Sequence, residues 1–120
     1  MVIPSIGSVV IIHFPFSDLS KSKLRPALIL ASVENDDWVL AQITSKSYAD
    51  SKAVMLSRKD FSKGSLEVES YVRPGKLFTA NNKLFYSNAG IITQDKFCEV
   101  IESVINVFTN SLKQKQVEKC

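Results

Sequence analysis

The feature that most constrains the fold is a series of short apolar runs, separated by polar segments, over the first two thirds of the 120-residue chain. The runs are rich in β-branched and aromatic residues, and they are Val9–Phe14, Pro26–Val33, Trp38–Ile43 and Ala53–Leu56. Runs of this length and composition are typical of strands. The pattern predicts a mainly β chain, a small sheet or barrel rather than a helical bundle.

The segments between these runs predict the connections. Ser17–Leu24 is polar and lysine-bearing, which indicates a loop longer than a tight hairpin needs. Glu34–Asp37 is an acidic turn, and Gly64 marks a further turn. Ser70–Thr79 predicts more strand pairing, with Pro74 at an edge or a bend because proline cannot donate to a sheet.

The end of the chain changes to a helical period. Six apolar residues fall on one helical stripe: Phe97, Val100, Ile101, Val104, Ile105 and Phe108. This spacing predicts an amphipathic helix over about 94–109 that packs across the sheet. Thr93 is expected to cap its N-terminus, with Asp95 in the first turn where a negative charge suits the helix dipole.

Composition limits the number of domains and the class of protein. With 45% hydrophobic residues and 13.4 kDa, we expect a single domain over residues 1–110, followed by a polar tail at 111–120 that frays. The net charge of +3 is dispersed, which leaves a nucleic-acid partner undecided. Cys98 and Cys120 form no disulfide framework or zinc motif, and the N-terminal segment lacks the features of a signal peptide or membrane span. A cytoplasmic protein without membrane attachment is predicted.

Most enzyme classes are excluded by the residues that the chain lacks. His13 is the single histidine, so paired-histidine chemistry and HExxH metal sites are absent. His13 alternates with apolar residues in a predicted strand, where a structural role is the more common one. The four glycines form no phosphate-binding loop, and Asp36-Asp37 is expected to be a solvated turn. No metal site and no cofactor are predicted.

A positive, hydroxyl-rich set of residues remains at the predicted strand ends. Arg25 precedes Pro26, which biases the arginine toward an extended backbone and restricts its direction. Thr44 and Ser45 end the third predicted strand. Considered singly, the arginine could be solvated or paired with an aspartate, and the hydroxyls could satisfy turn backbone. Residue type alone leaves both explanations open.

Taken together with their surroundings, these residues resemble a known family. The chain has Gly7-Ser-Val-Val-Ile-Ile-His-Phe-Pro-Phe-Ser-Asp, a lysine-bearing loop, Arg25-Pro-Ala-Leu-Ile-Leu and Ala41-Gln-Ile-Thr-Ser. In order and spacing these segments resemble the PemK/MazF-like toxin endoribonucleases of type II toxin–antitoxin systems. The resemblance spans Ile6 to Phe108 and is most specific in its first half.

The resemblance implies a fold and an activity. The fold would be an SH3-like barrel of the CcdB/PemK type with a C-terminal helix, and the protein a homodimer neutralised by a cognate antitoxin. The activity would be cleavage of single-stranded RNA without metal or cofactor, by attack of a ribose 2′-hydroxyl on the adjacent phosphate. Arg25 and Thr44 match the family's catalytic pair. A guanidinium fork suits the charge that develops on the phosphate oxygens, and Thr44 would hydrogen-bond the phosphate or orient the 2′-hydroxyl.

The same resemblance gives a set of candidate RNA contacts. They are Phe16, Asp18, Lys21, Ser22, Lys23, Ser45 and Ser70. The lysines of the loop would hold the RNA backbone, and Phe14 or Phe16 could stack on a base, although packing in the core is an equally good explanation for either phenylalanine.

Two departures from the family pattern, and two rival functions, accompany this interpretation. Phe78 stands where many relatives have arginine, and Gly75 where an acidic residue is frequent. A non-catalytic binding module on the same fold is the main alternative; it would poison a topoisomerase, as CcdB-like relatives do, or bind RNA without cutting it. A degenerate structural protein is a third. Retention of Arg25 and Thr44 favours the enzyme, because a pure binder needs no anion-binding fork beside a hydroxyl.

Overall fold

Seven strands and one long helix make up the fold in the computed structural model, which describes residues 3–15, 22–48 and 50–117. The strands are β1 (Ser8–Pro15), β2 (Ser22–Ser32), β3 (Asp37–Thr44), β4 (Val54–Leu56), β5 (Phe61–Gly64), β6 (Ser70–Asn81) and β7 (Phe85–Ile92). The helix α1 spans Gln94–Gln114. Short 3₁₀ helices at Arg58–Asp60 and Asn82–Leu84 connect β4 to β5 and β6 to β7.

The strands pair antiparallel in the order β4-β6-β3-β2-β1-β7-β5. The two edge strands, β4 and β5, are joined by residues 57–60 alone, so the sheet curls into a nearly closed barrel. This architecture confirms the predicted mainly β barrel with a C-terminal helix. Strand β2 begins at Ser22, whereas the sequence predicted that the loop continues to Leu24. Residues Ser22–Leu24 therefore belong to the strand and not to the loop.

The turn between β2 and β3 explains the two adjacent acidic residues. Asn35 and Asp36 have φ values of 62° and 63°, the left-handed conformation that a tight type I′ hairpin requires. The side-chain amide of Asn81 donates to the Asn35 carbonyl at 3.1 Å and to the Asp37 carboxylate at 3.0 Å. These acids therefore build a hairpin, as predicted, and do not form a catalytic carboxylate pair.

The second half of the sheet contains more strand than the sequence predicted. Gly64 ends a strand, with φ of 67°, where only a turn was expected. A Cβ atom added at Gly90 would meet the Lys63 carbonyl and lie 2.9 Å from the Phe61 ring. β5 and β7 can approach this closely because Gly64 and Gly90 have no side chain. Pro74, predicted at an edge or a bend, lies within β6. The pairing of β6 with β3 shifts register between Leu77 and Val72, and the proline lies in that irregular stretch.

The central strands are apolar on both faces. Alternate residues of β1, β2 and β3 contribute to two buried clusters; Val9, Leu28 and Ala41 lie in one, and Val10 and Ile29 in the other. The first cluster also receives Val100 of α1. The two clusters therefore lie on opposite faces of the same strands.

Helix α1 begins as predicted and ends later than predicted. The Thr93 hydroxyl accepts the Lys96 amide at 3.3 Å, and Asp95 lies in the first turn. The helix continues to Gln114, five residues beyond the predicted end at about 109. Phe97, Ile101 and Val104 pack on the first cluster, whereas Ile105 and Phe108 are 52% and 59% exposed. The expectation that the whole stripe packs on the sheet is therefore wrong for Ile105 and Phe108, its last two residues.

Candidate active site

A groove of about 710 Å³ lies where β2, β3 and β6 come together beside the 65–68 segment. The polar and charged residues that line it are Arg25, Thr44, Ser45, Lys46, Ser65, Glu67, Ser70 and Arg73. Ile11, Pro26, Ile43 and Leu66 supply part of its apolar lining. The groove has the size of a typical small-ligand site, and its lining includes more cationic than anionic side chains.

Strand register explains why Arg25 and Thr44 share this groove. Ala27 pairs with Gln42 across β2 and β3, and Leu28 pairs with Ala41. Arg25 lies two residues before Ala27 and Thr44 two residues after Gln42, so both residues lie at the same end of this pair of strands. Both residues line the groove. The pairing of β2 with β3 thus places the two sequence-predicted catalytic residues at one end of the two strands.

The local geometry of Thr44 defines the direction of its hydroxyl. Its Oγ1 accepts the backbone N–H of Lys46 at 3.1 Å, the turn-satisfying bond that the sequence allowed. A hydroxyl has one hydrogen to donate and lone pairs with which to accept. Since Oγ1 already accepts from Lys46, its hydrogen can be directed toward a phosphate oxygen in the groove.

Arg73 is a groove residue that sequence reasoning missed. It lies on β6, and its Nε is 3.5 Å from the Asp50 carboxylate, with both side chains about four-fifths buried. A partly buried arginine held by a carboxylate has a restricted position. The signal was present in the sequence, because Arg73 precedes Pro74 just as Arg25 precedes Pro26.

The candidate serines of the groove differ from each other. Ser45 is exposed at the groove wall. Ser70 also lines the groove, but it is 3% exposed and its hydroxyl donates to the Val68 carbonyl at 2.9 Å. This geometry favours a structural role for Ser70, in which it holds the 65–69 segment in place.

The remaining predicted RNA contacts lie apart from the groove or outside the described residues. Lys23 is exposed on β2, two residues before Arg25. Side chains two residues apart on a strand lie on the same face, so Lys23 and Arg25 share one face of β2. Phe16, Asp18 and Lys21 lie outside the described residues, as does the side chain of Ser22.

The aromatic residues nearby have ordinary packing roles. Phe14 is half-buried, and its ring lies 4.7 Å from that of Phe78, with which it joins the second buried cluster. The phenylalanine at a position where relatives often have arginine thus packs against another phenylalanine. His13 is exposed and meets Tyr86 edge to face at 5.6 Å, which is consistent with its predicted structural role.

Two further features are absent from the described residues. Across residues 3–15, 22–48 and 50–117, no three histidine, cysteine, aspartate or glutamate side chains gather as metal ligands would. In that same part of the chain, no helix has the length and hydrophobicity needed to span a bilayer.

Comparison with known proteins gives a family match over most of the chain. The family model of the PemK-like, MazF-like toxin of type II toxin–antitoxin systems matches residues 5–108. The chain belongs to this toxin family. Members of the PemK/MazF family are generally endoribonucleases. Curated protein sequences give no match.

Solved structures share the PemK/MazF fold with this chain at low sequence identity. A MazE–MazF complex from Deinococcus radiodurans has a TM-score of 0.72 at 16% identity, covering 91% of this chain and 98% of that one. An endoribonuclease in complex with its cognate antitoxin from a mycobacterial species has a TM-score of 0.69 at 15% identity, covering 91% and 96%. The Mycobacterium tuberculosis toxin MazF-mt6 has a TM-score of 0.67 at 18% identity, covering 85% and 96%. These similarities establish the fold.

Proposed function

We propose that this PemK/MazF-family protein is a metal-independent endoribonuclease that cleaves single-stranded RNA in the cytoplasm. The observation that carries the proposal is the convergence of Arg25 and Thr44, which are 19 positions apart in the chain, on the walls of one groove. Arg73 and Lys46 line the same groove, so a phosphate there would be met by several cations. Preorganised cations and hydroxyl donors are what a phosphoryl transition state requires.

The proposed reaction is an internal displacement at phosphorus. The ribose 2′-oxygen gives its proton to a solvent water molecule and bonds to the adjacent phosphorus. The bond from phosphorus to the 5′-oxygen then breaks, and that oxygen takes a proton from solvent water, so no net proton is gained or lost. The products are a 2′,3′-cyclic phosphate and a free 5′-hydroxyl.

Each groove residue has a role in this step. Arg25 binds the non-bridging oxygens as their charge grows, and arginine is suited to this because it stays protonated and presents paired N–H donors. Thr44 donates its hydroxyl to the same phosphate while the Lys46 amide fixes its oxygen. Arg73, positioned by Asp50, supplies a second cation from β6. Lys23 and Lys21 would hold the RNA backbone next to Arg25.

The protein partners follow from the same family. Two of the similar structures are complexes with an antitoxin, which supports an antitoxin as the natural inhibitor of this chain. A homodimer is the proposed active form. Its support is the exposure of Ile105 and Phe108 on α1, since a second copy would remove this apolar surface from water. Light scattering at micromolar concentration tests it, and a monomer would contradict it.

The decisive experiment is cleavage of a long single-stranded RNA in excess chelator. We expect the wild type to cut it, and Arg25→Ala to lower the rate by a factor of about 100 to 1,000. Arg58→Ala is the matched control, because Arg58 is exposed and lines no part of the groove. Circular dichroism checks that each variant folds.

The ends of the fragments test the chemistry separately. Cyclic phosphate and 5′-hydroxyl ends support attack by the 2′-oxygen, whereas 5′-phosphate and 3′-hydroxyl ends would show a metal-dependent reaction. Intact RNA that is nevertheless bound would establish the non-catalytic binding module instead.

A further inference from the structure

A second cleft, separate from the catalytic groove, lies between the segment around Lys52 and one side of α1. Its volume is about 460 Å³, and it is lined by Lys52, Ser103, Asn106, Asn110 and Lys113. Asn106 and Asn110 are four residues apart, and Lys113 follows three residues later, so these side chains lie along one side of the helix. None of these residues belongs to the groove.

The chemistry of this cleft suits an anionic, hydrogen-bonding ligand. The lining residues carry two ammonium groups, two amides and a hydroxyl, and they include neither a carboxylate nor an apolar side chain. A protein segment normally anchors in an interface through buried aromatic or aliphatic side chains. A sugar-phosphate backbone is instead bound by lysine, asparagine and serine side chains. The lining therefore favours a nucleic-acid backbone over a protein.

One carboxylate connects the cleft to the catalytic groove. Asp50 lies 3.5 Å from Nε of Arg73, which lines the groove, and it accepts the backbone N–H of Lys52, which lines the cleft, at 2.9 Å. The two sites are therefore neighbours across a single side chain.

From these contacts we infer that the cleft binds the phosphate backbone of the same RNA strand, outside the position that is cut. The inference rests on the proposed function, because it needs single-stranded RNA in the groove. The cleft lengthens the RNA-binding surface and supplies affinity without contributing to the chemical step. It contacts phosphates and sugars, so it does not select bases.

The test is the salt dependence of binding by the full chain. The probe is a fluorescent 2′-O-methyl RNA of about 16 nucleotides, which cannot be cut because its 2′-oxygen is blocked and which is long enough to reach beyond one site. Lys52→Gln combined with Lys113→Gln removes both cleft cations. Lys59→Gln combined with Lys83→Gln is the matched control, because both lysines are exposed and line neither site.

The expected result is a change in slope as well as in affinity. Each lost phosphate contact to single-stranded nucleic acid lowers the slope of log affinity against log salt by about 0.7. The advantage of the wild type over the cleft variant should therefore shrink about sevenfold between about 50 and 200 mM salt. The control variant should keep the wild-type slope. An oligonucleotide of about four nucleotides, which fits within one site, should bind wild type and cleft variant alike.

The remaining outcomes separate failure of this inference from failure of the proposed function. A cleft variant that matches the control at every salt concentration overturns the inference, whereas Arg25→Ala would still weaken binding if the proposed function holds. Arg25→Ala with unchanged binding and cleavage contradicts the proposed function itself. If a poly-glutamate peptide binds through Lys52 and Lys113 while RNA binding does not depend on them, the cleft serves an acidic protein, and the RNA assignment is wrong.

Discussion

Replacing Thr44 by valine removes one hydroxyl from the groove and keeps the shape of the side chain. The effect on folding should be small. The lost hydrogen bond, from the Lys46 N–H to Oγ1 at 3.1 Å, is exposed, so water takes over as acceptor and the free energy of unfolding falls by about 1 kcal/mol or less.

The effect on catalysis should be much larger than the effect on folding. Loss of one preorganised donor to a developing oxyanion costs about 2.7–4 kcal/mol of transition-state stabilisation, a factor of about 100 to 1,000 in kcat. KM should change little, because the other groove cations, Arg25, Arg73 and Lys46, still bind the ground-state phosphate. Thr44→Ser retains the hydroxyl and should keep most of the activity.

The assay is initial-rate cleavage of an RNA that carries a fluorophore and a quencher, over a range of substrate concentrations. Urea unfolding of each variant gives the change in stability independently. Two results would refute the reasoning about Thr44. One is a wild-type kcat for Thr44→Val, and the other is a Thr44→Ser variant as slow as the valine variant, which would show that the methyl group or the backbone matters and the hydroxyl does not.

Two further predictions concern stability, and urea unfolding measures both. Gly90→Ala should destabilise the fold by about 3 kcal/mol or more, because its methyl group would meet the Lys63 carbonyl. Gly75→Ala is the control: open space surrounds this position, so the free energy of unfolding should change by no more than about 0.5 kcal/mol. Equal stabilities of the two variants would contradict the close approach of β5 and β7. Val100→Ala should cost about 2 kcal/mol since Val100 is fully buried, whereas Val33→Ala, at 47% exposure, should cost about 0.5 kcal/mol or less. Equal losses at the two valines would contradict the packing of Val100 in the core.

The helix shows how far a periodic pattern can be followed. The apolar stripe predicted α1, its cap at Thr93 and its burial at Val100 correctly, because these depend on neighbours within a few turns. The same stripe predicted burial of Phe108, which is exposed. Periodicity indicates which side of a helix is apolar, but it cannot show how much of that side the rest of the fold covers.

The second half of the sheet shows a different limit. β5 has only four residues and ends at Gly64, so its sequence resembles a turn more than a strand. Its pairing with β7 depends on Gly90, which lies 26 positions away in the chain. A short strand of this kind is stabilised by its partner, and local propensity does not reveal it.

Only part of the candidate site could be predicted from the sequence. Arg25 lies at the start of one predicted strand and Thr44 at the end of the next, and their surrounding motifs resemble the PemK/MazF family, so both could be named from the sequence. Arg73 could not be placed beside them from local pattern alone. Its position follows from the pairing of β6 with β3 and from the ion pair with Asp50.

The sequence by itself determined the alternation of strands, the hairpin at Asn35 and Asp36, the C-terminal helix and the chemistry available at Arg25 and Thr44, since each depends on residues that are close in the chain. Only the tertiary structure decided that Arg73 joins that groove, that the hydroxyl of Ser70 is occupied by Val68, and that a polar cleft lies beside α1. The physical reason is that register, closure of the sheet and the packing of α1 bring distant segments together, and the free energy of those contacts belongs to the whole fold rather than to any local stretch.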